Sequence, residues 1–220
     1  MVTVHYIGDS TVARNNIHSY PQTGMSQGLQ LYLKEAVTVR SYAKNGRSTK
    51  SFLDEGRFAP VEQAMTPGDF LFIQFGHNDE KDDPARHTDP ETTFQDNLRL
   101  FIHAAQQKGA TPVLITPIAR RLFDGEGNFM PGSHGAYPEA MRRLAQAEGV
   151  ALVDLTAATE SFLAALGDEP SKPLFMWPKD NTHLKPEGAV KMAGLLADGL
   201  QQLGGEYAAL LAGTEEGAGI

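Results

Sequence analysis

Val2-Thr-Val-His-Tyr-Ile-Gly-Asp-Ser-Thr11 opens the chain with a β-rich run that stops at a glycine and delivers a serine directly after it. Valine, isoleucine, threonine and tyrosine suit a pleated strand, and Gly-Asp-Ser suits a tight turn or a helix start. Four further runs repeat the pattern: Val37 to Tyr42, Phe70 to Phe75, Pro112 to Thr116 and Val150 to Leu155. The segments between them are long enough to hold helices, and this alternation predicts a parallel sheet. Phe94, Leu98, Phe101, Ile102 and Ala105 recur at helical spacing, as do Met141, Leu144 and Ala145. Gly109 and Gly149 stand where those helices stop. A last helix follows Pro186, with Val190, Ala193, Leu196, Leu200 and Leu203 on one face and Gly204-Gly205 ending it.

The expected fold is α/β: a single-domain, three-layer α/β/α sandwich on a flavodoxin-like, five-stranded, mainly parallel sheet, spanning 1–212 and followed by a flexible tail over 213–220. The 220 residues, 41% hydrophobic, suffice for one substantial core. No cysteine is present, which excludes disulfides, thiolate metal sites and a cysteine nucleophile. A net charge of -8 argues against nucleic acid or an anionic membrane as general partners. The amino terminus has neither a basic leader nor an apolar stretch long enough for export, so the chain as it stands reads as cytoplasmic, and as secreted if a leader has been trimmed. The 81–92 segment, rich in charge and holding two prolines, reads as a surface loop.

Right-handed crossovers bring the carboxyl ends of parallel strands to one edge, where ligands bind. Ser10 follows the first strand, Asn45-Gly46 the second and Gly76-His77-Asn78-Asp79 the third. A serine hydroxyl becomes nucleophilic when a base takes its proton, and His183 in Trp177-Pro-Lys-Asp-Asn-Thr-His-Leu184 is the candidate base. Asp180, three residues earlier, is placed to orient the imidazole; equally, it suits a cap on the turn before Pro186. Gly46 meets either a turn's need for positive φ or an oxyanion donor's need for close backbone approach, and the Asn78 amide can donate to the same oxyanion. The remaining histidines show no ligand-like spacing, and the chemistry requires no metal or cofactor.

In order and spacing, Ser10, Gly46, Asn78 and His183 resemble the four blocks of the SGNH (GDSL-type) hydrolase superfamily, over nearly the whole chain. Asn45-Gly-Arg-Ser-Thr-Lys-Ser-Phe-Leu-Asp-Glu-Gly-Arg-Phe58, Gln74-Phe-Gly-His-Asn-Asp79 and Asp180-Asn-Thr-His-Leu184 look like the rhamnogalacturonan acetylesterases within it. The resemblance implies Ser10, Asp180 and His183 as a catalytic triad. It also implies an oxyanion hole of the Ser10 and Gly46 amides with the Asn78 side chain. The implied substrate is an acetylated oligosaccharide of the pectin backbone. His77, Arg120, Arg121 and Trp177 are candidate substrate contacts: the arginines through a uronate carboxylate, the indole by stacking on a sugar. Rival readings are an esterase of acetylxylan, lipid or thioester, and a non-catalytic carbohydrate-binding protein, which would lack a triad member; none is missing here.

Overall fold

The computed structural model describes residues 1–213, so the expected tail lies outside the described residues from 214 onward. Strands β1 (Val2–Gly8), β2 (Val37–Ser41), β3 (Phe70–Gln74), β4 (Thr111–Ile115) and β5 (Ala151–Val153) form one sheet in the order β2-β1-β3-β4-β5. Every pairing is parallel, as the alternation of apolar runs and helical segments predicts. In chain order the helices are α1 (Met25–Leu29), α2 (Thr49–Asp54), α3 (Ala59–Ala64), α4 (Thr93–Gln107), α5 (Tyr137–Glu148), α6 (Leu155–Leu166), α7 (Asp168–Ser171), α8 (Pro186–Leu203) and α9 (Gly205–Ala208). None of them is long and apolar enough to cross a membrane.

Period-two alternation along the strands builds two cores, one on each face of the sheet. Val4, Tyr6, Phe72, Val113 and Ile115 point to one face and pack with residues of α1, α6 and α8. Ile7, Leu71, Ile73 and Leu114 point to the other and pack with α2, α3, α4 and α5. Each such aliphatic or aromatic side chain contributes about 1.5 to 3 kcal/mol on burial, so the layering follows from the strand pattern itself. The α4 stripe Phe94, Leu98, Phe101, Ile102 and Ala105 is buried throughout. In α8 the fully buried positions are Ala189, Met192, Ala193, Leu196 and Leu200, whereas Val190 and Leu203 lie at the margin. The stripe is rotated because α1 crosses closely here: a Cβ on Gly28 would stand 2.8 Å from the Ala189 carbonyl oxygen.

The fifth strand is shorter than its apolar run. Asp154 turns its side chain back to accept from the Ala157 N–H at 3.2 Å, capping α6, so Leu155 begins a helix instead of ending a strand. Arg142 holds the same carboxylate at 2.8 and 3.0 Å. Strand order reverses at β1, whose neighbours are β2 and β3. The crevice outside the carboxyl ends of β1 and β3 is therefore the topological switch point, the place where an open α/β sheet binds ligands.

Candidate active site

Ser10 leaves β1 on a turn that its neighbours hold rigidly. The Asp9 carboxylate accepts from the Thr11 N–H at 2.9 Å and the Thr11 hydroxyl at 2.8 Å, while the Asp9 carbonyl accepts from Ala13 N at 2.9 Å. Met25 N then ties the Thr11 carbonyl to the start of α1 at 2.8 Å. Ser10 is 7% exposed, with its hydroxyl at the surface of a polar pocket of about 580 Å³.

The loop before α8 carries the other half of the arrangement. Phe175 and Leu184, both buried, bridge across its base, and Thr23 N donates to the Leu184 carbonyl at 2.9 Å. Asp180 divides its carboxylate between two tasks. Oδ1 accepts from the backbone N–H groups of Thr182 (2.8 Å) and His183 (2.7 Å), and Oδ2 accepts from His183 Nδ1 at 2.7 Å. The cap and the orienting group, alternatives in the sequence, are thus two oxygens of one side chain. Burial pushes this carboxyl up, but the bonds from His183 and Thr182 outweigh it and hold the group below its ordinary value. With Nδ1–H committed to Asp180, Nε2 is the free lone pair, and Ser10 Oγ stands 2.8 Å from it.

Gly46 sits at φ +78°, and a Cβ there would meet nothing within 4 Å, so the backbone angle alone accounts for glycine. Among the described residues, neither the Ser10 nor the Gly46 amide has a backbone acceptor. Asn78 spends one amide hydrogen on the Arg47 carbonyl at 3.1 Å, and Arg86 Nη1 donates to its Oδ1 at 3.4 Å, which sets the way the amide faces. Ser10, Gly46, Asn78, Asp180 and His183 all line the same pocket. The arrangement can remove a proton from a hydroxyl nucleophile and offer N–H donors to an oxyanion beside it.

Behind Asn78, the fully buried Asp79 accepts from Thr49 N (3.0 Å), Thr49 Oγ1 (2.6 Å) and Thr88 Oγ1 (3.1 Å), but its Oδ2 has no partner among the described residues. Burial pushes its carboxyl up to about 7, against the bonds from Thr49 and Thr88. The native state therefore holds this proton where the unfolded chain has released it. The resulting stability is complete below the ordinary carboxylate range, near pH 4, and is lost as pH rises through about 7. Asp79→Asn, which keeps the accepting Oδ1, should remove a pH-dependent contribution of about 4 kcal/mol. Thermal unfolding from about pH 4 to about pH 8 would show a flatter dependence in the variant; an unchanged slope would count against the buried proton.

Of the four expected substrate contacts, the structure brings two to the pocket. His77 lines it, buried, with neither ring nitrogen hydrogen-bonded among the described residues and with burial, then the nearby His134, holding its pKa well below the ordinary value. Arg120 lines it too, but is engaged: it donates to Thr182 Oγ1 (2.6 Å), the His77 carbonyl (3.4 Å) and the Glu80 carboxylate. Arg121 and Trp177 are corrections. Arg121 is 3% exposed and turned the other way, donating to Ser171 Oγ at 2.9 Å and to the Asp168 carbonyl and carboxylate of α7. Its guanidinium lies 4.7 Å from the Trp177 ring centroid, with Lys172 Nζ 5.4 Å from the same ring, so the indole packs on cations outside the pocket. The Leu122 N–H donates back to the Arg120 carbonyl at 2.9 Å, a tight turn centred on Arg121, and of the two arginines Arg120 lines the pocket. Asn45, beside Gly46, lines the pocket, as do Gln22, Lys81, Arg86 and Thr182. Lys81 and Arg86 lay in the loop flagged for its charge; Gln22 carried no signal.

Residues 6–191 match the model of the GDSL-like Lipase/Acylhydrolase family. The chain belongs to that family. This GDSL-like hydrolase is 41% identical over 215 residues to rhamnogalacturonan acetylesterase RhgT of Bacillus subtilis (strain 168), the alignment covering 92% of this chain and 91% of RhgT. It is 38% identical over 205 residues to the probable rhamnogalacturonan acetylesterase YesY of the same organism, covering 91% and 93% of the two chains. Among solved structures, protein YxiM of Bacillus subtilis superposes with a TM-score of 0.82 at 27% identity, over 92% of this GDSL-like hydrolase and 56% of the longer YxiM chain.

Proposed function

We propose that this carboxylic ester hydrolase removes acetyl groups from a plant cell-wall carbohydrate, rhamnogalacturonan fragments first among them, through an acetyl-serine intermediate. One observation carries the reading: the unbroken line Asp180 Oδ2, His183 Nδ1, His183 Nε2, Ser10 Oγ, with links of 2.7 and 2.8 Å, at the rim of a polar pocket. Ser10 Oγ attacks the acetyl carbonyl as its proton passes to His183 Nε2. Negative charge grows on the carbonyl oxygen, where the Ser10 and Gly46 amides and the second Asn78 amide hydrogen are proposed to receive it. Collapse returns the proton from His183 to the departing sugar alkoxide. Water, deprotonated by the same nitrogen, then releases acetate from Ser10.

The substrate assignment draws on the names of RhgT and YesY and on the chemistry of the pocket. Lys81 and Arg86 line it, which suits an acidic sugar and not a long acyl chain. The hydrolase unit is proposed to span 1–212, with neither nucleic acid nor membrane as a partner. Acetate release from acetylated rhamnogalacturonan should exceed that from acetylated xylan, and short p-nitrophenyl esters should be preferred over long ones. A preference for long acyl chains would overturn the proposal. Asn78→Ala should reduce kcat by about a hundred- to a thousandfold while leaving thermal stability close to native; steady-state kinetics beside a melting curve would check both.

A further inference from the structure

A charge network, buried at His134 and half-buried at Glu80 and Arg120, adjoins the pocket without taking part in the chemistry above. His134, 2% exposed, has both ring nitrogens against acceptors: Nε2 stands 2.7 Å from the Ile118 carbonyl and Nδ1 2.8 Å from Glu80 Oε2. A carbonyl cannot donate. The other Glu80 oxygen accepts from Arg120. The guanidinium on that oxygen favours the carboxylate form, so Glu80 is an acceptor as well and both His134 nitrogens carry hydrogen. The ring is a buried imidazolium, set edge-to-face at 4.4 Å from the unpartnered His77 ring.

Arg120 transmits this arrangement. Its guanidinium reaches Thr182, between Asp180 and His183, and the His77 carbonyl, adjacent to Asn78. We propose that Glu80 and His134 are positioning residues: by locking the Arg120 fork, they hold the loop of the proton-transfer pair in register with the loop of the oxyanion donor. Resting on the esterase reading of the site, this assigns Arg120 to alignment of the two loops and not to capture of a substrate carboxylate. Two donors around one carboxylate suit the task, because the charge-assisted fork is directional and the buried His134 cannot drift into water.

The test combines a spectroscopic with a kinetic readout. In protein labelled with 15N-histidine, the His134 ring should give two N–H correlations, and a single one in the native protein would overturn the proposal. Glu80→Gln should leave one and should lower kcat for p-nitrophenyl acetate by about ten- to a hundredfold, since sub-ångström misalignment acts on turnover more than on binding. Should Glu80→Gln fail to fold, Arg120→Lys, which keeps the charge but loses the fork, should lower kcat similarly while His134 retains both correlations. Full kcat with a raised KM for acidic oligosaccharides in Arg120→Lys would make Arg120 a substrate arm and overturn the brace. A native protein inert toward every ester would sink the esterase reading and the alignment role with it, whereas the count of His134 N–H groups tests the charged ring independently.

Discussion

His183→Ala is expected to lower kcat for ester hydrolysis by about five to six orders of magnitude while leaving the fold intact. The size follows from the position of Nε2, the group within reach of the Ser10 proton at 2.8 Å. Without it, hydroxyl attack must proceed from a neutral serine, and the leaving alkoxide loses its proton donor. Little stability is at stake. The His183 side chain is 31% exposed, and the loop around it is secured by the Phe175 and Leu184 bridge and by Met176 N donating to the His183 carbonyl at 2.8 Å. Single-turnover assays with p-nitrophenyl acetate, beside a melting curve, measure both effects. A variant retaining a tenth of native kcat would remove His183 from its assigned role.

Asp180→Asn should cost about four orders of magnitude in kcat, and here the geometry specifies how. Asparagine can keep an oxygen in the Oδ1 position, where it still accepts from Thr182 N and His183 N, so the turn survives. Its amide nitrogen then occupies the Oδ2 position, 2.7 Å from His183 Nδ1. A donor there demands a lone pair on Nδ1 and drives the imidazole proton to Nε2, where it faces Ser10 and blocks abstraction. Flipping the amide would instead aim its hydrogens at two backbone N–H groups. Native-like stability with kcat near one ten-thousandth of normal is the expected result; near-native kcat would mean that the carboxylate serves the turn alone.

Much of this site is legible in the chain. Ser10, Gly46 and Asn78 each follow an apolar run of strand type, and a parallel sheet must deliver all three to one edge. Asp180 and His183 are close enough in sequence for one loop to bring them into contact. The family resemblance then singles out the same residues, and the match over 6–191 bears out the family. Pairing between distant loops is less legible. Glu80 meets His134 across 54 positions, and no spacing rule anticipates it. Arg120 and Arg121 are adjacent and chemically identical, yet one borders the pocket and the other is buried against α7. Which of two neighbours borders the pocket depends on the tight turn at Arg121, whose N–H donates to the Asn181 carbonyl at 2.8 Å, and that partner is present only once the loop before α8 has packed.

The sequence by itself determined the parallel sheet, the helices that cover it and the strand ends that carry the candidate chemistry, because these follow from local periodicity and from the handedness of crossovers. Tertiary structure decided what composition cannot encode locally. It gave each Asp180 oxygen its own partners, turned Arg121 and Trp177 away from the pocket, ended β5 at the Asp154 cap and set a histidine between a carbonyl and a carboxylate. The physical reason is common to all four. A buried polar group must satisfy its hydrogen bonds with whatever the fold brings within about 3 Å, and that set exists only once distant segments have packed.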